Sequence, residues 1–141
     1  MEKSLRASPG AKRILIVDDE FGLLEVLEFI LSDAGFVVAS ALNGQEALTR
    51  LQETKPDLVI LDFMMPVLDG SAVIKAIRSN DKLKNIPVIL TSALTEETIR
   101  EREPCGGFNT FLRKPYRTER LMEEISKLLD RPAIAPIRGI V

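Results

Sequence analysis

Five short apolar runs, each five or six residues long and each closed by a polar break, set the tightest limit on how this chain folds. They lie at residues 13–17, 36–41, 57–62, 87–91 and 108–113. Ile14-Leu15-Ile16-Val17 and Leu58-Val59-Ile60-Leu61 show no alternation of polar and apolar residues. Strands read this way when both faces of a parallel sheet are covered. The stretches between them carry helical spacing instead. Residues 20–34 bring Phe21, Leu24, Leu27 and Leu31 to one side, and Gly35 follows as a stop. Asn43-Gly44-Gln45-Glu46 reads as a capping box opening a helix to about residue 54, before Pro56. A loop from Met65-Pro66 to Asp69-Gly70 leads into a helix over 71–79. The helix over 95–103 is the weakest: mostly charged, with Ile99 nearly alone as an apolar anchor and Pro104 at its end. A last helix sets Leu121, Ile125, Leu128 and Leu129 on one side.

Strands alternating with helices of these lengths predict an α/β domain with right-handed crossovers. At 141 residues the chain is sized for one domain, expected over 12–130, with flexible tails over 1–11 and 131–141. No apolar run approaches the ~18 residues of a membrane span, and the start of the chain lacks the apolar middle of a signal peptide. A single cysteine, Cys105, leaves no internal disulfide and reads as inert. These features predict a cytoplasmic chain that does not meet a membrane. Nineteen basic and 21 acidic residues give a net charge of −2, and a pI near 5.3 argues against direct binding of nucleic acid. The chain contains no histidine, so its chemistry rests on carboxylates, hydroxyls, lysine and backbone.

In parallel α/β folds, ligands sit beyond the carboxyl ends of the strands. Asp18 and Asp19 leave the first strand at that rim, Asp62 ends the third, Thr91 the fourth, and Lys114 follows the fifth. Three carboxylates gathered there repel one another. Two unit charges at ~4 Å cost about 1 kcal/mol in water and about 4 at an effective dielectric near 20. Either their pKa values rise or a cation joins them. Mg²⁺ suits such a site, because it takes one or two protein carboxylates, keeps waters and leaves positions for phosphate oxygens. Lys114 then balances the charge of a phosphoryl group, Thr91 donates a hydrogen bond to it, and the Asp62 carboxylate is the nucleophile. Blander roles exist for each residue alone. Asp18-Asp19 would serve as an acidic helix start, Asp62 as a loop cap, Thr91 as an ordinary strand end and Lys114 as a solvated charge. Their joint placement favours the site.

The segments Ile14-Leu15-Ile16-Val17-Asp18-Asp19-Glu20, Leu58-Val59-Ile60-Leu61-Asp62-Phe63-Met64-Met65-Pro66 with Asp69-Gly70, Val88-Ile89-Leu90-Thr91-Ser92 and Phe111-Leu112-Arg113-Lys114-Pro115 together resemble the receiver domains of two-component response regulators. The likeness covers residues 12–130 in the family's order and includes the stand-alone chemotaxis response regulator. It implies a flavodoxin-like doubly wound five-stranded parallel sheet, strand order 2-1-3-4-5, with five helices. It also implies that Asp62 is the phosphoacceptor and that Asp18, Asp19, Asp62 and the backbone carbonyl of Met64 hold Mg²⁺. Thr91 and Lys114 would contact the phosphoryl oxygens, and Lys114-Pro115 would be cis, which X-Pro bonds permit at about 0.5–1 kcal/mol. Thr91 and Phe111 fall where the family has its switch pair; a phenylalanine there lacks the hydrogen bond of a tyrosine hydroxyl. Phe111 also reads, more simply, as a partly buried aromatic.

By the same resemblance the donor is a phosphohistidine on a histidine kinase or histidine phosphotransfer protein. The output is a changed surface over 92–120 that meets a downstream effector, and a phosphorylation-dependent homodimer stays open. Such a chain catalyses its own phosphorylation and dephosphorylation without being a conventional enzyme. Met64 and Ala93 flank the site and cannot position a water by hydrogen bonding, so slow self-dephosphorylation is expected. About a dozen residues follow the last helix, which predicts a stand-alone regulator or an excised receiver without an output domain. Pro104 and Cys105-Gly106-Gly107 depart from a more regular helix end.

Three other functions compete. A Mg²⁺-dependent phosphohydrolase with an Asp nucleophile would carry a second Asp where Met64 stands. A flavin or nucleotide carrier would need a Ser/Thr/Gly-rich phosphate loop after the first strand, where this chain is acidic. A receiver-like interaction module acting without phosphorylation is the third.

Overall fold

The computed structural model describes residues 10–104 and 106–129. Apart from Gly10 and Ala11, the tails expected over 1–11 and 131–141 lie outside the described residues, as does Cys105. Among the described residues ten elements alternate: β1 (Arg13–Val17), α1 (Phe21–Asp33), β2 (Val37–Ala41), α2 (Gly44–Thr54), β3 (Leu58–Asp62), α3 (Gly70–Ser79), β4 (Val88–Ser92), α4 (Glu96–Arg102), β5 (Thr110–Arg113) and α5 (Thr118–Leu129). The strands form one sheet in the order β2-β1-β3-β4-β5, and every pair is parallel. This is the doubly wound flavodoxin-like arrangement the apolar runs and the resemblance predict.

The runs lack alternation because both faces of each central strand meet helices. Leu15, Val17, Val59, Leu61, Val88 and Leu90 pack against Leu51 of α2, Ile77 of α3 and Ile99 of α4. Ile14, Ile16, Leu58, Ile60 and Ile89 face the other way, onto Leu27 and Leu31 of α1 and Leu121 and Ile125 of α5. Full burial is worth about 1.5–3 kcal/mol for each such side chain, so either face of these strands requires one.

Local chemistry moves several boundaries by a residue or two. Gly35, at φ 99°, ends α1 by letting its N–H donate to the Ser32 carbonyl while that of Phe36 donates to Leu31. Phe36 is thus spent on the helix end, and β2 opens at Val37 rather than at residue 36. At α2, the Asn43 side chain accepts from the Glu46 N–H at 2.8 Å, but Glu46 reaches back to the Leu42 N–H instead of that of Asn43. The box is therefore offset by one residue. Gly106 and Gly107 lie at φ 71° and 92°, which delays β5 to Thr110. Asn109 closes the gap: its N–H donates to the Val88 carbonyl and its side-chain oxygen accepts from the Val88 N–H, both at 2.8 Å. Arg78 of α3 pins the same corner through the carbonyls of Lys84, Ile86 and Gly107.

The loop after β3 holds one strained residue. Val67 is 95% exposed and sits at φ 69°, where the Leu68 N–H closes a three-residue turn onto the Pro66 carbonyl at 2.8 Å. A β-branched residue in left-handed backbone costs about 1–2 kcal/mol, of which glycine's greater chain entropy offsets part. Val67→Gly is expected to stabilise the protein by roughly 0.5–1 kcal/mol in urea unfolding; a loss of stability would show the turn is unstrained.

Candidate functional site

The parallel register brings the carboxyl ends of β1, β3, β4 and β5 to one rim. Asp18 leaves β1 3% exposed, with its N–H on the Ala41 carbonyl and one carboxylate oxygen accepting from the Glu20 N–H. No acidic residue lies in the first turn of α1; Asp18 and Asp19 precede its N-cap, Glu20. Asp62, 5% exposed, ends β3 directly opposite Thr91, and the Phe63 N–H donates to the Thr91 carbonyl at 2.8 Å. Asp18, Asp19 and Asp62 each offer a carboxylate oxygen within 4.8 Å of the others.

Lys114 stands over this cluster. Its Nζ donates to Asp18 Oδ2 at 2.6 Å and lies 3.6 Å from Asp62 Oδ2. The Lys114 N–H donates to the Ser92 carbonyl, and the Lys114-Pro115 peptide bond is cis. Burial raises the Asp62 pKa, the Asp18 charge adds to the rise, and Lys114 and the Met64 N–H oppose it, leaving the group at about 6. Burial works to lower the pKa of Lys114, but its hydrogen bond to Asp18 and the charges of Asp62, Asp18 and Glu20 outweigh that and raise it. The ammonium is held charged.

Tyr116 was not singled out by sequence reasoning. Its phenol is pushed up to about 12 by burial and then by Asp18 and Asp62, so it stays neutral. The only signal was an aromatic just after Lys114-Pro115. Phe111 is half-buried and borders Leu90 in register. It lines a groove of about 750 Å³ with Thr95, Arg113, Tyr116, Arg120 and Glu123, which none of the three aspartates lines. A second groove of about 420 Å³, between Leu23, Val26 and Ile30 of α1 and the 114–118 segment, opens beside Lys114 and Ala93. Met64 is exposed, and its sulfur accepts from Arg102 of α4 at 3.7 Å.

Three hard carboxylate oxygens on a partly open rim form a donor set matched to a hard divalent cation. A doubly wound parallel sheet with aspartates and a lysine at its carboxyl rim defines a class of small α/β domains whose site is made of loops at strand ends. Comparison with known proteins narrows the class. The model of the response regulator receiver domain matches residues 14–126, and the chain belongs to that family. It is 36% identical over 119 residues to the phosphate regulon transcriptional regulatory protein PhoB of Rhizobium meliloti, a match over 84% of this chain and 52% of that protein. The chain thus spans about half the length of the curated relatives it matches. Among solved structures, the chemotaxis protein CheY4 of Vibrio cholerae superposes with a TM-score of 0.79 at 29% identity, over 84% of this chain and 99% of that one. The receiver domain of the sensor histidine kinase PA1611 of Pseudomonas aeruginosa, described with magnesium coordinated in its active site cleft, gives 0.78 at 26% identity over 86% and 99%. No helix among the described residues is long and apolar enough to cross a membrane.

Proposed function

We propose that residues 12–130 form a phosphoacceptor switch that takes a phosphoryl group onto Asp62 from a phosphohistidine on a histidine kinase or histidine phosphotransfer protein. The observation that carries this reading is Lys114 joining Asp18 and Asp62 beside Asp19 and opposite Thr91. An Asp62 oxygen attacks phosphorus, the P–N bond to the donor imidazole breaks, and that nitrogen takes up a proton. With its pKa at about 6, Asp62 is mostly ionised and nucleophilic at neutral pH. Lys114 is near enough to balance charge on the transferred oxygens, and the Thr91 hydroxyl is the donor to one of them. Asp18, Asp19, Asp62 and the Met64 carbonyl would hold Mg²⁺, which when bound neutralises phosphoryl charge.

Val26 lines the smaller groove, and Phe21 and Phe29 are further exposed apolar side chains of α1, a helix suited to meeting the donor protein. The effector meets the surface over 92–120, which carries the larger groove, with Thr91 and Phe111 as the switch pair. Homodimerisation on phosphorylation would use the same surface. The second reading is an interaction module that works without phosphorylation, and it draws on the ion pair by which Lys114 already satisfies Asp18. Intact-mass spectrometry after acetyl phosphate and Mg²⁺ separates the two. One added phosphoryl group, absent when EDTA is present, is expected; no adduct, with beryllofluoride also failing to bind, would favour the interaction module.

A further inference from the structure

The chain between Thr91 and Glu103 is a strap joined to the acceptor site at both ends. At its leading end, Thr95 caps α4 only a few residues beyond Thr91, and the Leu94 N–H donates to Ser92 Oγ at 3.1 Å. At its trailing end, buried Glu103 accepts a hydrogen bond from the Ser71 hydroxyl, and Arg102 contacts the Met64 sulfur. Ile99 is the one buried residue of α4 between these ends. Ser71 belongs to the acceptor loop in mechanical terms. It follows Gly70, whose N–H donates to the Phe63 carbonyl at 3.0 Å. A Cβ on Gly70 would come within 2.8 Å of Phe63 Cα, so the start of α3 and the segment just after Asp62 are in direct backbone contact.

We propose that the Ser71–Glu103 hydrogen bond is a latch that holds α4 against displacement and so opposes phosphorylation of Asp62. This rests on the function proposed above. A short helix pinned at both ends cannot follow a pull at one of them. If Thr91 moves toward a phosphoryl group on Asp62, the leading end of the strap moves with it, and the trailing end must come free. Free energy spent in opening the latch is lost to occupancy of the site, and by reciprocity removing the latch returns it. The latch is thereby a second arm of coupling, running from the acceptor loop to α4 without passing through Phe111.

The test uses the full chain with Mg²⁺ and beryllofluoride, the affinity read by fluorine NMR and the mobility of residues 96–103 by amide hydrogen exchange. Ser71→Ala is expected to bind beryllofluoride roughly five- to tenfold more tightly, a coupling of ordinary size. Its free-state exchange over 96–103 should rise to the level the parent reaches only with beryllofluoride. Ser71→Thr, which keeps the hydroxyl, should match the parent. Faster exchange with unchanged or weaker affinity would make the bond a mere structural prop and overturn the latch, as would unaltered exchange. A parent that binds beryllofluoride beside a variant with no gain sinks the latch alone. A parent that takes neither beryllofluoride nor phosphoryl sinks the receiver chemistry and the latch with it.

Discussion

Asp62→Asn is expected to accept no phosphoryl group from acetyl phosphate and, at pH 7 without Mg²⁺, to be more stable than the parent by roughly 1–2 kcal/mol. The two effects share a cause. Burial and the neighbouring Asp18 raise the Asp62 pKa from 3.8 to about 6 in the folded protein. A carboxylate whose folded pKa lies above its unfolded value favours folding when protonated. That contribution is complete below the unfolded pKa and is lost as pH rises through about 6. At neutral pH the ionised side chain therefore strains the fold. Each pKa unit corresponds to ~1.4 kcal/mol, and screening at the open rim reduces the total. The neutral amide escapes the cost. Thermal unfolding should show a rise in Tm of about 3–8 °C at pH 7 that shrinks toward pH 5 and is gone near pH 4. Mg²⁺ should close part of the gap by stabilising the parent. Equal stability of the two proteins at pH 7 would contradict the burial cost, and a label retained by the variant would move the acceptor elsewhere.

The opposite change in stability is expected at Lys114. Lys114→Met removes the cation 2.6 Å from Asp18 and leaves that carboxylate, 3% exposed, without its partner. Breaking a buried pair from one side typically costs about 3–5 kcal/mol. The Lys114 side chain is 22% exposed, so water relieves some of the loss and roughly 2–3 kcal/mol is expected from urea unfolding without Mg²⁺. Because the ammonium pKa is raised in the fold, its contribution holds throughout neutral pH and fades only as pH rises through that raised value. Labelling at pH 7 should slow on the order of 10²-fold, as it does when one charge-stabilising donor is lost from an active site. Two causes act together: Asp62 is less ionised without its cation, and the phosphoryl oxygens lose theirs. Mg²⁺ should restore more stability to the variant than to the parent, since it supplies positive charge to the same carboxylates. A variant as stable and as quickly labelled as the parent would reduce Lys114 to a solvated charge.

Much of this was legible in the order of residues. The unalternating runs at 14–17, 58–61 and 88–90 encode strands covered on both faces, because a side chain's direction in a strand depends only on its place in the run. The parallel sheet follows, and the strand ends then carry Asp18, Asp19, Asp62 and Thr91 to one rim without any knowledge of loops. The apolar pattern extends strands over Phe36 and residues 108–109, where the fold has none, for a local reason. Their backbone groups or side chains are taken up by a helix end and by a side-chain bond that imitates a strand.

Tertiary structure decided what those residues touch. The sequence brings Lys114 to the rim, but its pairing with Asp18, ninety-six positions away, exists only in the fold. Ser71 and Glu103, thirty-two apart, and Met64 and Arg102, thirty-eight apart, meet only because α4 ends against the loop after β3 and the start of α3. Tyr116 acquires its raised pKa from burial and from the carboxylates of Asp18, just past β1, and Asp62, at the end of β3. Periodicity records which way a side chain points within its own element, and the strand order is strongly limited by burial. The path of each loop, and the long side chain that crosses from one strand end to another, depends on packing between elements that are distant in sequence. The rim and its carboxylates were therefore determined by the sequence alone, while the charge balance within the rim was decided by the folded chain.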